Sequence, residues 1–167
     1  SIIPVRKNSK GIKNKNLLKI NNLSLLERTI LISKNSKFID KTFVTTDCMQ
    51  MQKTAQKHNV SFTGLRPKKL STESALTIDV VKYVIKKTKL KDVYILLLQV
   101  TSPFRTIKLT NGFLNKFNKN KRASSSVSVS FFDNPHPCKA QKIENGWIKS
   151  FLGFESMVPR QSLPKVL

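Results

Sequence analysis

The densest run of chemistry-bearing side chains lies between Arg6 and Asn16, where the chain reads Arg-Lys-Asn-Ser-Lys-Gly-Ile-Lys-Asn-Lys-Asn directly after the apolar stretch Ile2-Ile3-Pro4-Val5. A loop of this composition at the end of a strand suits a polyphosphate. Gly11 lets backbone N–H groups approach an anion, Arg6, Lys10 and Lys15 supply neutralising charge, and Ser9 and Asn16 add a hydroxyl and an amide. The GxxxxGK[ST] spacing is absent, so this is no Walker loop. Composition alone also describes a solvated basic loop, and that reading stands beside the first.

Other candidates are fewer. Gln99-Val100-Thr101-Ser102-Pro103-Phe104-Arg105 breaks the longest apolar run; taken alone, Ser102-Pro103 signals a strand-ending turn and Arg105 a surface residue at a helix start. Asp47 reads as a helix cap in preference to a metal ligand. His58 and His136 read as surface or loop residues, not catalytic bases. Cys48 and Cys138 are isolated, with no CxxC spacing and no neighbouring His cluster, and are expected to be reduced thiols.

The elements that must position these residues alternate. Residues 2–5 form a short apolar strand. Ser24 and Glu27 have capping-box spacing ahead of an amphipathic helix through Ile32. Residues 41–46 are a second strand, 48–58 a helix that Asp47 can cap, and 60–63 a third strand. A turn-rich loop from Gly64 to Ser74 leads to a helix over about 78–87 that Thr77 can cap. Residues 92–98 show the unbroken apolar pattern of a central strand covered on both faces. A basic helix covers about 107–117 and a fifth strand 126–132, with Phe131 and Phe132 in the core. Asn145-Gly146 sits between two β-compatible stretches as a hairpin signal, which Trp147 is expected to anchor.

Repeated strand-helix-strand units predict an α/β fold: a three-layer, doubly wound, mostly parallel sheet with a small β-hairpin extension. Ligands of such sheets bind beyond the carboxyl ends of the strands, which points to the loops starting at Arg6, Asp47, Gly64, Gln99 and Phe132.

With 167 residues and 39% hydrophobic content the chain suits one domain, residues 1–167. It opens without Met and stops at Leu167 without a closing element, so truncation at both ends is expected. No apolar run is long enough to span a bilayer and no signal peptide is recognisable, so a soluble cytoplasmic protein is expected. The net charge of +22 raises nucleic-acid binding as a competitor. The lysines are scattered through every segment, however, and no aromatic stacking platform accompanies them. No specific nucleic-acid partner is expected, and loose attraction to polyanions is.

Six motifs then occur in one order along the chain. Ile3-Pro4-Val5-Arg6-x-x-Ser9-Lys10-Gly11-x-x-x-Lys15-Asn16 resembles the N-terminal signature of the acylneuraminate cytidylyltransferases, the CMP-sialic acid synthetase family, with Lys7-Asn8 where Gly-Gly is commoner. Val44-Thr45-Thr46-Asp47 and Arg66-Pro67-x-x-Leu70-Ser71 resemble the next two, with Glu73 where Asp is usual. Leu98-Gln99-Val100-Thr101-Ser102-Pro103-Phe104-Arg105 is similar to the most specific of the set. His136-Pro137-x-Lys139 and Arg160-Gln161-x-Leu163-Pro164 complete it.

The resemblance implies a nucleotidyltransferase that moves CMP from CTP to a sialic-acid-type nonulosonate sugar and releases pyrophosphate. It implies that Arg6, Ser9, Lys10, Gly11, Lys15, Asn16, Arg66 and Thr77 serve the nucleotide, with Arg6, Lys10 and Lys15 catalytic. Gln99, Thr101, Ser102, Arg105, Lys139, Arg160 and Gln161 would serve the sugar. It also implies a homodimer, and Mg²⁺ whose carboxylate ligands lie in a later segment; no metal ligand is assigned here. The chain is therefore expected to bind CTP but to turn over poorly. Enzymes for Kdo, legionaminate or pseudaminate are alternatives, the Kdo enzymes sharing the first loop but not the Gln-x-Thr-Ser-Pro segment. A noncatalytic polyanion-binding module of the same fold is the alternative from another class.

Overall fold

The computed structural model describes residues 1–7, 12, 14–129 and 139–152. The chain divides into two compact units, Ser1–Ser126 and Val127–Leu167.

In the first unit, strands β1 (Ile2–Pro4), β4 (Phe43–Thr45) and β5 (Ser61–Phe62) form a parallel sheet in the order β1-β4-β5. The free edge of β1 meets Leu97 in a parallel bridge. The Ile2 N–H donates to the Leu96 carbonyl at 2.8 Å, and the Leu98 N–H to the Ile2 carbonyl at 2.9 Å. The chain therefore builds outward from β1 through β4 to β5, then returns to the other side of β1.

That reversal requires helices on both faces, because a crossover back to the opposite edge must pass over the opposite side of the sheet. Alternation along the strands divides the core accordingly. Ile3, Val5, Val44, Leu98 and Val100 pack with α1 (Leu25–Lys34) and α2 (Met49–Lys57), through Leu26, Ile30, Met51 and Ala55. Ile2 and Phe43 face α3 (Thr77–Thr88) through Val84, Val81 and Tyr83. Ile2, Ile3, Leu26, Ile30, Val44 and Met51 are fully buried, each contributing about 1.5–3 kcal/mol by removal from water. The three-layer, doubly wound expectation holds.

Before α1, β2 (Lys19–Ile20) and β3 (Leu23–Ser24) form an antiparallel pair whose two-residue turn is Asn21-Asn22, both at positive φ. That geometry suits Asn, whose short polar side chain tolerates left-handed backbone. α1 then starts at the expected capping box: Ser24 Oγ accepts the Glu27 N–H at 3.2 Å, and Glu27 Oε2 accepts the Ser24 N–H at 2.8 Å. α4 (Ile107–Lys119) is capped by Thr106, which accepts the Leu109 N–H at 3.1 Å.

Four expectations need correction. Asp47 does not cap α2; Cys48 is its N-cap, without a side-chain bond, and the Cys48 N–H goes to Thr46 Oγ1. Thr77 does not cap α3, of which it is the first residue behind Leu76. The segment 92–98 is not covered on both faces: Val93 and Tyr94 are 52% and 78% exposed, and the described pairing is with β1 alone. Of the fifth strand, the described residues 126–129 form none, and Val127 and Val129 are exposed; Phe131 and Phe132 lie outside the described residues.

In the second unit, β6 (Gln141–Glu144) and β7 (Trp147–Ser150) form the expected hairpin, with Asn145 and Gly146 at positive φ. Glu144 bridges to Lys149 Nζ at 2.6 Å. Trp147 lies opposite Glu144 but is half exposed, so cross-strand bonds and charge hold the hairpin, not a buried indole. Among the described residues, no helix is long and apolar enough to cross a membrane.

Candidate active site at the carboxyl edge of the sheet

The return of the chain across β1 creates a topological switch point between β1 and the segment that ends at Gln99. In an open parallel sheet this is where the loops from adjacent strands diverge and leave a crevice. Arg6 leaves β1 at that edge, and the loops after β4 and β5 bring Asp47 and Arg66 to it.

These loops are tied to one another. The Arg66 N–H donates to the Thr46 carbonyl at 2.7 Å. The Arg66 guanidinium reaches the Val5 carbonyl through Nη2 at 3.3 Å and Ser71 Oγ through Nε at 3.1 Å. Asn16 is buried and donates from Nδ2 to the Arg6 carbonyl at 3.0 Å. It stands in a short 3₁₀ turn, Lys15–Leu17, entered through Asn14 in the left-handed region. Asp47 Oδ1 accepts the Lys7 N–H at 2.8 Å.

The electrostatics follow from burial. Arg66 is only 6% exposed, and desolvation lowers its pKa, opposed by the carboxylate of Asp47 and reinforced by the like charge of Arg6. A guanidinium stays ionised under such pressure. Arg6, Arg66 and Asp47 thus bring two cations and one carboxylate to this edge, a positive balance suited to an anion.

On the other side of the switch point, Arg105 Nη2 donates to the Gln99 carbonyl at 3.1 Å, while its Nη1 is buried without a hydrogen-bond partner among the described residues. Burial lowers the Arg105 pKa. Gln99, Thr101 and Ser102 are exposed around it.

The structure therefore brings together Arg6, Asn16 and Arg66, with Lys15 half-buried in the adjoining turn, and separately links Arg105 to Gln99. Thr77 is exposed at the start of α3, and Lys139 is exposed in the second unit. Ser9, Lys10, Gly11, Arg160 and Gln161 lie outside the described residues. Asp47 is a residue of this edge that sequence reasoning misassigned, as a cap. Its signal was present: a carboxylate at the carboxyl end of the strand beside β1, in a chain with only 9 acids against 31 cations.

Among the described residues no three His, Cys, Asp or Glu side chains come together, and the Asp47 carboxylate already binds a main-chain N–H.

Fold and site together define a doubly wound α/β protein with cationic side chains gathered at its switch point. The profile of the cytidylyltransferase family matches residues 1–145, and the chain belongs to that family. It is 32% identical over 148 residues to a Helicobacter pylori protein named pseudaminic acid cytidylyltransferase and UDP-2,4-diacetamido-2,4,6-trideoxy-beta-L-altropyranose hydrolase, a match covering 87% of this chain and 28% of that one. It is 37% identical over 105 residues to the N-acylneuraminate cytidylyltransferase of Escherichia coli O18:K1:H7, covering 63% of this chain and 25% of that one. The chain thus spans less than a third of the length of either relative. Among solved structures, the CMP:2-keto-3-deoxy-manno-octonic acid synthetase complexed with CTP superposes with a TM-score of 0.58 at 18% identity, over 71% of this chain and 46% of that one. This last likeness bears on the fold.

Proposed function

We propose that the chain carries the CTP-binding region of a cytidylyltransferase that transfers CMP to a sialic-acid-type nonulosonate sugar. The observation that carries this reading is the convergence of Arg66 and Asn16 on the backbone around Arg6 at the switch point. Family membership and the relatives named for sialic and pseudaminic acids support the substrate class.

In the proposed reaction the anomeric hydroxyl oxygen of the sugar attacks the α-phosphorus of CTP in line. A new P–O bond forms, the bond to the bridging oxygen breaks, pyrophosphate leaves with that electron pair, and the hydroxyl proton is released. Such chemistry depends on positioning and charge stabilisation. Arg6, Lys10 and Lys15 are assigned to the charge on the phosphates, with Ser9, Gly11, Asn16, Arg66 and Thr77 on the nucleotide side. Gln99, Thr101, Ser102, Arg105, Lys139, Arg160 and Gln161 are assigned to the sugar side. Magnesium accompanies the triphosphate in this reading, and no step is routed through it. A cytoplasmic location is part of this proposal.

Isothermal titration of CTP against ATP and GTP at moderate salt tests the reading. Preferential binding of CTP is expected. The net charge of +22 favours the second reading, a polyanion-binding module; equal, weak and steeply salt-dependent binding of all three nucleotides would establish it instead. A homodimer is also proposed, supported by the apolar pair Ile143 and Ile148 on one exposed hairpin face. Light scattering that finds a monomer at every concentration up to roughly 100 µM, where an interface of micromolar affinity would be filled, rejects it.

A further inference from the structure

The peptide plane between Arg6 and Lys7 is held at both ends. Its carbonyl accepts from Asn16 Nδ2 at 3.0 Å, and its N–H donates to Asp47 Oδ1 at 2.8 Å. The preceding residue is held as well: the Val5 N–H donates to the Thr45 carbonyl at 3.0 Å, and the Val5 carbonyl accepts from Arg66. A peptide unit turns as a rigid plane. Fixing both of its polar atoms therefore fixes ψ of Arg6 and φ of Lys7 together, and with them the direction in which the first loop leaves β1. One restraint comes from Asn16 at the far end of the same loop and the other from Asp47, 40 residues away, so the exit is set in part from outside the loop.

Asp47 is the member of this clamp to which no role has been given. Its carboxylate does not cap α2, whose N-cap is Cys48 without a side-chain bond. We infer that Asp47 is a positioning residue for nucleotide binding: by holding the Lys7 N–H it sets where Arg6 stands relative to the phosphates. The inference rests on the CTP-binding reading.

Electrostatics and positioning give opposite signs here, which makes the inference testable. Asp47 is a negative charge beside a site for a polyanion, so its removal by charge alone tightens CTP binding. Loss of positioning weakens it. Asp47→Asn keeps an acceptor oxygen for the Lys7 N–H and discards the charge; Asp47→Ala discards both.

The experiment is titration of CTP into the wild-type chain, Asp47→Ala and Asp47→Asn, with and without Mg²⁺, alongside amide hydrogen exchange at Lys7 and thermal melting. Asp47→Ala is expected to lose roughly tenfold in CTP affinity, the scale of one hydrogen bond to a charged group, with Lys7 exchanging faster. Asp47→Asn is expected to bind CTP at least as tightly as wild type, with Lys7 still protected. Unchanged or tighter binding by Asp47→Ala overturns the inference. So does an equal loss in both variants that appears only with Mg²⁺, which would make Asp47 a metal ligand. If the wild-type chain binds no CTP, the functional reading fails, and Lys7 exchange still decides the clamp: equal rates in wild type and Asp47→Ala reject it.

Discussion

Nη2 of Arg66 donates to the main-chain carbonyl of Val5 at 3.3 Å, across 61 residues of sequence. The bond joins the end of β1 to the loop after β5, although β4 lies between these strands in the sheet. One guanidinium thus spans the carboxyl edge, and its Nε holds Ser71 in the same loop.

Arg66→Lys is expected to break that span. An ammonium keeps the charge but cannot present the planar fork that reaches both Val5 and Ser71. Leaving a buried carbonyl without its donor costs about 1–3 kcal/mol, so a lower melting temperature and weaker CTP binding are expected together. A variant that matches wild type in both measurements would show that charge alone suffices at this position.

The diffuse positive charge of the chain has to be separated from the local charge of the crevice. Arg6→Ala is expected to lower CTP affinity roughly tenfold, the size of a charge-assisted bond to phosphate. The double variant Lys86→Ala/Lys87→Ala removes two cations from the last turn of α3 and is expected to leave CTP affinity nearly unchanged at moderate salt, where exposed distant charges are screened. Equal losses in titrations of the two variants would favour the polyanion module.

The capping box of α1 makes a pH-dependent contribution. Hydrogen bonds from the Ser24 hydroxyl and N–H, more than the nearby His58, lower the Glu27 pKa below its ordinary value of 4.5. A carboxylate depressed in the folded state stabilises fully above that ordinary value, and the contribution is lost as pH falls below it through the folded-state pKa. Ser24→Ala is expected to cost about 1 kcal/mol near neutral pH and to lose stability less steeply than wild type on acidification. Denaturant melts at pH 7 and pH 3 check this, and parallel curves would remove Glu27 from the acid response.

The elements legible in the sequence are those whose signal is local. Ser24 and Glu27 are three residues apart and settle their own geometry, and Asn145-Gly146 carries its turn in two residues. Asp47 was misread, because its spacing before α2 is that of a cap while its partner Lys7 lies 40 residues away. The segment 92–98 failed for a related reason. Its apolar run reports a preference for burial, but coverage depends on a neighbouring strand, and beside it only β1 pairs among the described residues. In the site, sequence named Arg6, Asn16 and Arg66, but not that Asn16 and Arg66 act on the backbone at Arg6.

Thr45 offers a test of how the carboxyl edge is built. Its side chain is fully buried, on the strand face that Phe43 shares with α3, and Oγ1 makes no hydrogen bond among the described residues. A buried hydroxyl without a partner is a cost that an isosteric methyl removes, on the scale of about 1 kcal/mol. Thr45→Val is therefore expected to raise the melting temperature, while the main-chain bond from Val5 to Thr45 is untouched by the change. If CTP affinity also stays the same, the hydroxyl is a packing fault of the sheet edge. A variant that is less stable than wild type would contradict the argument, because it would mean that the hydroxyl is satisfied in solution.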